Sequence, residues 1–297
     1  MSRSASARAN RIGEPTPSPD PLPAPAVDSH THLDIVLGEF DDVAPDDAVD
    51  AEIAAAAAVG VPRLVQVGVD VASSRWSAEL AARHPHVLAA VAIHPNEAGD
   101  GRADDDALAE IDRLAALPRV RAVGETGLDR FRTGPEGWAA QEAAFRAHIR
   151  IAKERGVALV IHDRDAHDDV LRVLEDEGAP ERTVMHCISG DAQVAKACIQ
   201  RGFVLSFAGT LTFGNAGYLR EAAALTPLDQ LLVETDAPFL TPVPFRGRPN
   251  ASRLVPNTVR ALAEVTGAGL EELCDALTAT AERVFGRWEG EAPGLHT

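Results

Sequence analysis

Cysteines, lysines and aromatic residues are scarce in this 297-residue chain, and positive charge is in deficit. Its three cysteines, Cys187, Cys198 and Cys274, make no Cys-x-x-Cys pair. That argues against a disulfide framework, and the low, odd count suits a reducing, cytoplasmic setting. No apolar run reaches about 18 residues, so no membrane span is expected. The N-terminus lacks the charged-then-apolar plan of a secretory signal. Lys+Arg total 28 against 45 Asp+Glu, a net charge of −17. Such a chain is a poor candidate for sequence-tolerant binding along a nucleic-acid backbone, although an enzyme that meets phosphates with bound cations stays open. Only two of the basic residues are lysines, Lys153 and Lys196. No Gly-x-Gly-x-x-Gly turn follows the first apolar run, and no Gly-x-Ser-x-Gly elbow occurs.

What is present is a regular alternation. Residues 1–26 read as a disordered tail, with proline at alternate positions from Pro15 to Pro25. Residues 27–297 then read as one domain. Short apolar runs lie at Val27–Ser29, Arg63–Gly68, Val87–Ile93, Val120–Gly124, Val157–Ile161, Thr183–Met185, Phe203–Ser206 and Gln230–Val233. Their shortness and β-branched content predict strands buried on both faces of a parallel sheet. Helices are expected over 45–59, 71–83, 104–117, 137–155, 165–177, 191–201 and 215–225. In the fourth of these Trp138, Phe145, Ile149 and Ala152 share a face, and Gly156 is placed to cap its end. Eight strands separated by helices predict an α/β fold, a (β/α)8 TIM-like barrel.

Histidines and carboxylates collect just past the ends of these strands. His30 and His32 follow the first; at positions i and i+2 of an extended chain both imidazoles face the same way, as a divalent metal requires. Glu125 follows the fourth strand, His162 the fifth, His186 the sixth and Asp236 the eighth. Each alone reads more readily as an ordinary turn, surface or core residue. Together they occupy the C-terminal ends of five strands, the face on which barrel enzymes keep their chemistry. Four imidazoles and two carboxylates suffice for two metals if one carboxylate bridges. His94 ends the third strand and reads equally as a structural residue or as a substrate-facing residue or distal ligand. The remaining histidines, His84, His86, His148, His167 and His296, fall in helices, in loops or near the C-terminus and receive no role. A long Pro-rich loop, Pro238–Pro256, follows the last strand.

The ordered segments Asp28-Ser29-His30-Thr31-His32-Leu33, Ile93-His94-Pro95, Gly124-Glu125-Thr126-Gly127-Leu128-Asp129, Ile161-His162, Met185-His186-Cys187 and Glu234-Thr235-Asp236-Ala237-Pro238 resemble the TatD family of metal-dependent hydrolases. The resemblance runs from Val27 to about Phe285. It implies a divalent-metal-dependent deoxyribonuclease or related hydrolase, acting on DNA or another phosphodiester, with ligands His30, His32, Glu125, His162, His186 and Asp236. Arg130, Ile188 and the segment Asn250-Ala251-Ser252-Arg253 depart from the family pattern, which bears on substrate preference. Two metals can hold both the attacking and the leaving oxygen of a displacement. The expected division is His30, His32 and Asp236 on one ion, His162 and His186 on the other, and Glu125 between them, with Asp236 as general base. The donor set accepts zinc, magnesium, manganese or nickel. Arg164, Arg246 and Arg248 are candidates for phosphate contact. One rival is an amidohydrolase acting on a lactone, amide or ester; many of those bridge their metals with a carboxylated lysine, and both lysines here fall in expected helices. The other rival is a non-catalytic metal-binding barrel.

Overall fold

The computed structural model describes residues 16–38 and 46–288. Strand β1 (Val27–Thr31) leads through α1 (Leu33–Leu37) and α2 (Asp46–Ala57) to β2 (Arg63–Val67). Then follow α3 (Val71–Arg83), β3 (Val87–Val91), α4 (Pro95–Gly99), α5 (Asp105–Ala115), β4 (Val120–Asp129), α6 (Pro135–Arg155) and β5 (Ala158–Arg164). The chain continues through α7 (His167–Glu177), β6 (Thr183–Met185), α8 (Ala192–Gln200), β7 (Val204–Phe207), α9 (Gly217–Leu225) and β8 (Leu231–Val233), and ends with α10 (Val255–Thr266) and α11 (Leu270–Phe285). The eight strands pair in parallel and in sequence order. A bridge between Thr31 and Ala237 brings the last strand back to the first, so the fold is a TIM-like barrel.

Two apolar layers follow from the two-residue period of each strand. Val65, Val67, Leu88, Ala90, Ala122 and Val160 point inward. Phe285 and Trp288, at the end of α11, close the base of this small interior. The alternate residues, among them Leu64, Ala89, Val91, Val123 and Leu159, pack outward against the helices. Local signals set the helix ends. Asp70 caps α3 by accepting from Ser73 N at 2.8 Å, and Asp191 caps α8 by accepting from Gln193 N and Val194 N. Gly156 ends α6 in the left-handed region at φ 62°, as its position predicts.

Two strands run further than their apolar runs. β4 continues from Gly124 to Asp129 and β5 from Ile161 to Arg164, paired as Gly127 with His162, Leu128 with Asp163 and Asp129 with Arg164. Gly127 permits this approach: at φ 139° a Cβ there would lie 2.1 Å from the His162 carbonyl oxygen. The polar residues of this extension are those that reach the mouth of the barrel. Residues 16–26, placed in the tail by composition, carry no helix or strand but are anchored at Thr16, Leu22 and Ala26, which are buried; the Leu22 N–H donates to Val59 O at 3.1 Å. The rest of that tail, 1–15, lies outside the described residues, as does His296. No helix among the described residues is long and apolar enough to cross a membrane.

Candidate metal centre

His30 and His32 project together from the end of β1, their Nε2 atoms 3.3 Å apart. The His32 ring is held by its Nδ1, 2.9 Å from Val67 O. Below them the chain is tied to β8: Thr235 donates to Asp28 from both its N and its Oγ1, at 2.9 and 2.6 Å, and Asp236 N donates to His30 O at 2.9 Å. The buried Asp28 anchors the two strand ends that carry three of the expected ligands. Burial raises its pKa to about 6, against the opposing effect of the Thr235 and Ser252 hydrogen bonds.

Glu125 stands at the centre. Its Oε2 lies 3.6 Å from His30 Nε2 and 4.0 Å from His32 Nε2. Its Oε1 faces the other way, 2.6 Å from His162 Nδ1, 3.2 Å from His94 Nε2 and 3.5 Å from His186 Nε2. Asp236 Oδ1 lies 3.4 Å from His32 Nε2, 3.8 Å from His30 Nε2 and 4.0 Å from His186 Nε2. The His186 ring stacks on His30 with centroids 3.6 Å apart. All six expected ligands therefore converge, and His94 joins them on the Oε1 side of Glu125.

The electrostatics of the site suit a cation. Burial alone would raise Glu125, yet His94, His186, His162 and His30 hold it well below the usual carboxylate range. Asp236 is likewise lowered by His32 and its neighbours against burial. Burial works against charge on His186, but Glu234, Glu125 and Asp236 still raise it to about 10. His162 is raised to about 8, again against burial, by Asp129 and Glu125. His30 is lowered by burial and by His186. Buried carboxylates stay ionised here because positive charge surrounds them, and a divalent cation would supply that charge more compactly. His30 Nδ1 is buried without a hydrogen-bond partner. Three overlapping sets, His30–His186–Asp236, His30–His32–Glu125 and His94–Glu125–His162, each bring their donor atoms within 4.8 Å of one another. The residues fit divalent metal.

Two residues with no role assigned from sequence support the cluster. Asp129 Oδ2 lies 3.3 Å from His162 Nε2, and Glu234 Oε1 lies 2.9 Å from His186 Nδ1. Their signal was present, each being an acid within four residues of an expected ligand. Of the histidines given no role, His148 is a core residue whose pKa burial depresses to about 3, and His167, the first residue of α7, pairs with Asp163 of β5 at 2.7 Å.

The site opens into a cleft of about 680 Å³, walled in part by Arg164, Phe213, Tyr218 and Arg246. Arg248 does not line it; its carbonyl accepts from Thr241 Oγ1 at 2.7 Å within the loop after β8. Four non-glycine residues of the wall, Asp165, Cys187, Asp236 and Leu240, hold φ between 42° and 56°. Such left-handed positions cost about 1–3 kcal/mol each and cluster where a fold is shaped for function. Neither lysine reaches the cleft: Lys153 lies on α6 and Lys196 on α8.

Residues 27–286 match the family model described as TatD related DNase. A metal-dependent hydrolase named TatD from Mycobacterium tuberculosis is 47% identical over 264 residues, covering 88% of this chain and 97% of that protein. A Citrobacter rodentium protein named 3'-5' ssDNA/RNA exonuclease TatD is 35% identical, covering 80% of this chain and 91% of its own length. The crystal structure of YJJV, a TatD homologue from Escherichia coli, superposes with a TM-score of 0.80 at 27% identity, covering 88% of this chain and 97% of that one. With the barrel, the histidine and carboxylate cluster at its mouth and these relatives in agreement, the chain belongs to the TatD family of metal-dependent hydrolases.

Proposed function

We propose that this protein is a nuclease that holds two divalent cations and removes nucleotides stepwise from the end of a single-stranded nucleic acid, DNA in the first instance. The observation that carries the reading is Glu125, whose two oxygens face two different groups of imidazoles. A carboxylate so placed suits a bridging ligand. His30, His32 and Asp236 would hold one ion, and His162 and His186 the other. When bound, such ions polarise the phosphoryl oxygen and acidify the attacking water.

The chain's own residues divide the remaining work. Asp236 is the more exposed of the two central carboxylates, at 16% against 4% for Glu125, and its pKa is lowered. It is ionised at neutral pH and meets solvent, so it takes the proton of the water that attacks phosphorus. Glu234 and Asp129 orient His186 and His162 from behind. His94 faces the scissile phosphate from the β3 side, and Arg164 and Arg246, on opposite walls of the cleft, contact the strand's phosphates beyond it. The exonuclease name of the Citrobacter rodentium relative supports the substrate class. The amidohydrolase alternative has no lysine at the site with which to bridge.

The test uses metal-loaded protein and an end-labelled single strand, beside a chelator control and a Glu125→Gln variant. The expected result is a ladder of shortened products that disappears with chelator and with Glu125→Gln. An intact strand at confirmed metal occupancy would overturn the nuclease reading.

A further inference from the structure

Among the described residues four arginines lie over aromatic rings, and they fall into two kinds. Arg63 over Trp288 also pairs with Glu282 at 2.6 Å, and Arg130 over Trp138 also pairs with Asp169 at 3.0 Å. Arg164 and Arg246 differ. Arg164 Cζ lies 4.3 Å from the Phe131 ring centre and Arg246 Cζ 4.0 Å from that of Phe213. Neither makes an ion pair among the described residues. Of these four ring-stacked arginines, the two without an acid are the two that line the cleft. Their guanidinium groups are steadied by rings and keep their donors for something else.

The exposed aromatic surface points to the same place. Among the described residues only two aromatic side chains are exposed, Phe131 at 64% and Tyr218 at 44%. Phe131 carries Arg164, and Tyr218, the only tyrosine in the chain, shares the cleft wall with Phe213 and Arg246. The first group stands where β4 and β5 end, on the paired extension that Gly127 permits. The second stands beyond β7 and β8, three strands further round the barrel. The metal centre lies between them.

We propose that these two arginine–aromatic groups are nucleotide subsites, which grip an unpaired strand on either side of the scissile phosphate. Each guanidinium contacts a phosphate, for which its planar fork is shaped, and the exposed ring of each group, Phe131 or Tyr218, stacks on a base. Stacking is tolerant of sequence because every base has a π-face, and it requires the base to be free of its duplex partner. The subsites thus select single strands over duplex without reading sequence. The inference rests on the nuclease reading above and assigns its specificity.

The experiment compares three substrates on metal-loaded full-length protein: a short oligothymidylate, the same strand paired with oligoadenylate, and bis(p-nitrophenyl) phosphate, which is too small to span both groups. Phe131→Ala and Tyr218→Ala should each raise KM for the single strand about five- to hundredfold, with a smaller change in kcat. The ratio of that KM to the small diester's should rise in step, and Phe131→Trp should restore it. Arg164→Met and Arg246→Met should each flatten the slope of log KM against log salt by about 0.7. Leu225→Ala, as exposed as Tyr218 but at the far end of α9, serves as the control. If single strands are cleaved and both alanine variants keep the original KM, the subsites are overturned while the nuclease reading stands. If the protein hydrolyses only the small diester and no polynucleotide, the nuclease reading falls and the subsites with it.

Discussion

Glu234 offers a sharp test of how the candidate metal centre is held, because it belongs to none of the groups of side chains that could take a cation. Its Oε1 lies 2.9 Å from His186 Nδ1, yet neither atom has an aligned hydrogen-bond partner, so the contact is one of opposite charges more than of geometry. Glu234 is 1% exposed, and its N–H donates to Phe207 O, which fixes the backbone between β7 and β8. The pair turns His186 Nε2 toward Glu125 and Asp236 and seats the ring on His30. Glu234→Gln keeps the shape and removes the charge. Loss of the charge behind a ligating imidazole should fall at the low end of the range known for such residues, about tenfold in metal affinity, or about 1.4 kcal/mol. Glu234→Ala removes orientation as well and should approach the hundredfold end of the range known for residues behind metal ligands. Competition with a chromophoric chelator for Zn²⁺ or Mn²⁺ measures both. A second readout is the His186 titration in metal-free protein, now raised to about 10 by Glu234 and the other carboxylates against burial, which should move down in Glu234→Gln. Wild-type metal affinity in Glu234→Gln would refute the reasoning, since the pair would then be incidental to the site.

Other consequences are open to direct measurement. Gly127→Ala should destabilise the protein by about 2 kcal/mol or more in urea denaturation, because a Cβ there meets the His162 carbonyl oxygen at 2.1 Å and φ is 139°; an unchanged midpoint would mean that the β4–β5 extension is looser than described. In metal-free protein His162 is raised from 6.5 to about 8, by Asp129 and Glu125 against burial. Its contribution is complete below the unfolded pKa and lost as pH rises through the folded one, so stability should fall between about pH 6.5 and 8, by about 2 kcal/mol from this group. Metal-loaded protein should show the opposite trend in metal affinity, because ligating imidazoles must be deprotonated; stability and affinity titrations that ran in the same direction would count against histidine ligation. Phe285→Ala should cost about 3–5 kcal/mol by opening a cavity at the base of the barrel. Calorimetry at saturating metal should still find the wild-type metal stoichiometry, and loss of binding would show that base and mouth are coupled.

Most of the barrel is legible in the sequence because a parallel strand buried on both faces has to be a short apolar run, and an amphipathic helix has to follow it. β6 and β8 match their runs closely for this reason. The extension of β4 and β5 was not legible. Its residues, Glu125–Asp129 and His162–Arg164, are mostly polar and are paired through backbone hydrogen bonds that no hydropathy pattern records. The two helices after β8 were passed over for a different reason. α10 begins at Val255 directly after a Pro-rich loop, so loop composition masked the onset of an apolar face that carries Val259 and Leu262.

The convergence of histidines and carboxylates was legible for a related reason and to a related limit. A side chain placed just beyond an apolar run must lie at the mouth of the barrel, so His30, His32, Glu125, His162, His186 and Asp236 could be brought together from spacing alone. What stands behind them depends on register between neighbouring strands. Asp129 reaches His162 because β4 and β5 stay paired as far as Asp129 and Arg164. Glu234 reaches His186 although β7 lies between their strands, a contact between non-neighbouring strands that no hydropathy pattern records. The same limit explains the arginines. Arg164, Arg246 and Arg248 are equivalent in composition, but the loop after β8 turns Arg246 onto Phe213 at the cleft and leaves Arg248 outside it, its carbonyl bonded to Thr241. Sequence order decides which face of a barrel a residue reaches; only the packed loops decide which of two near neighbours faces the substrate.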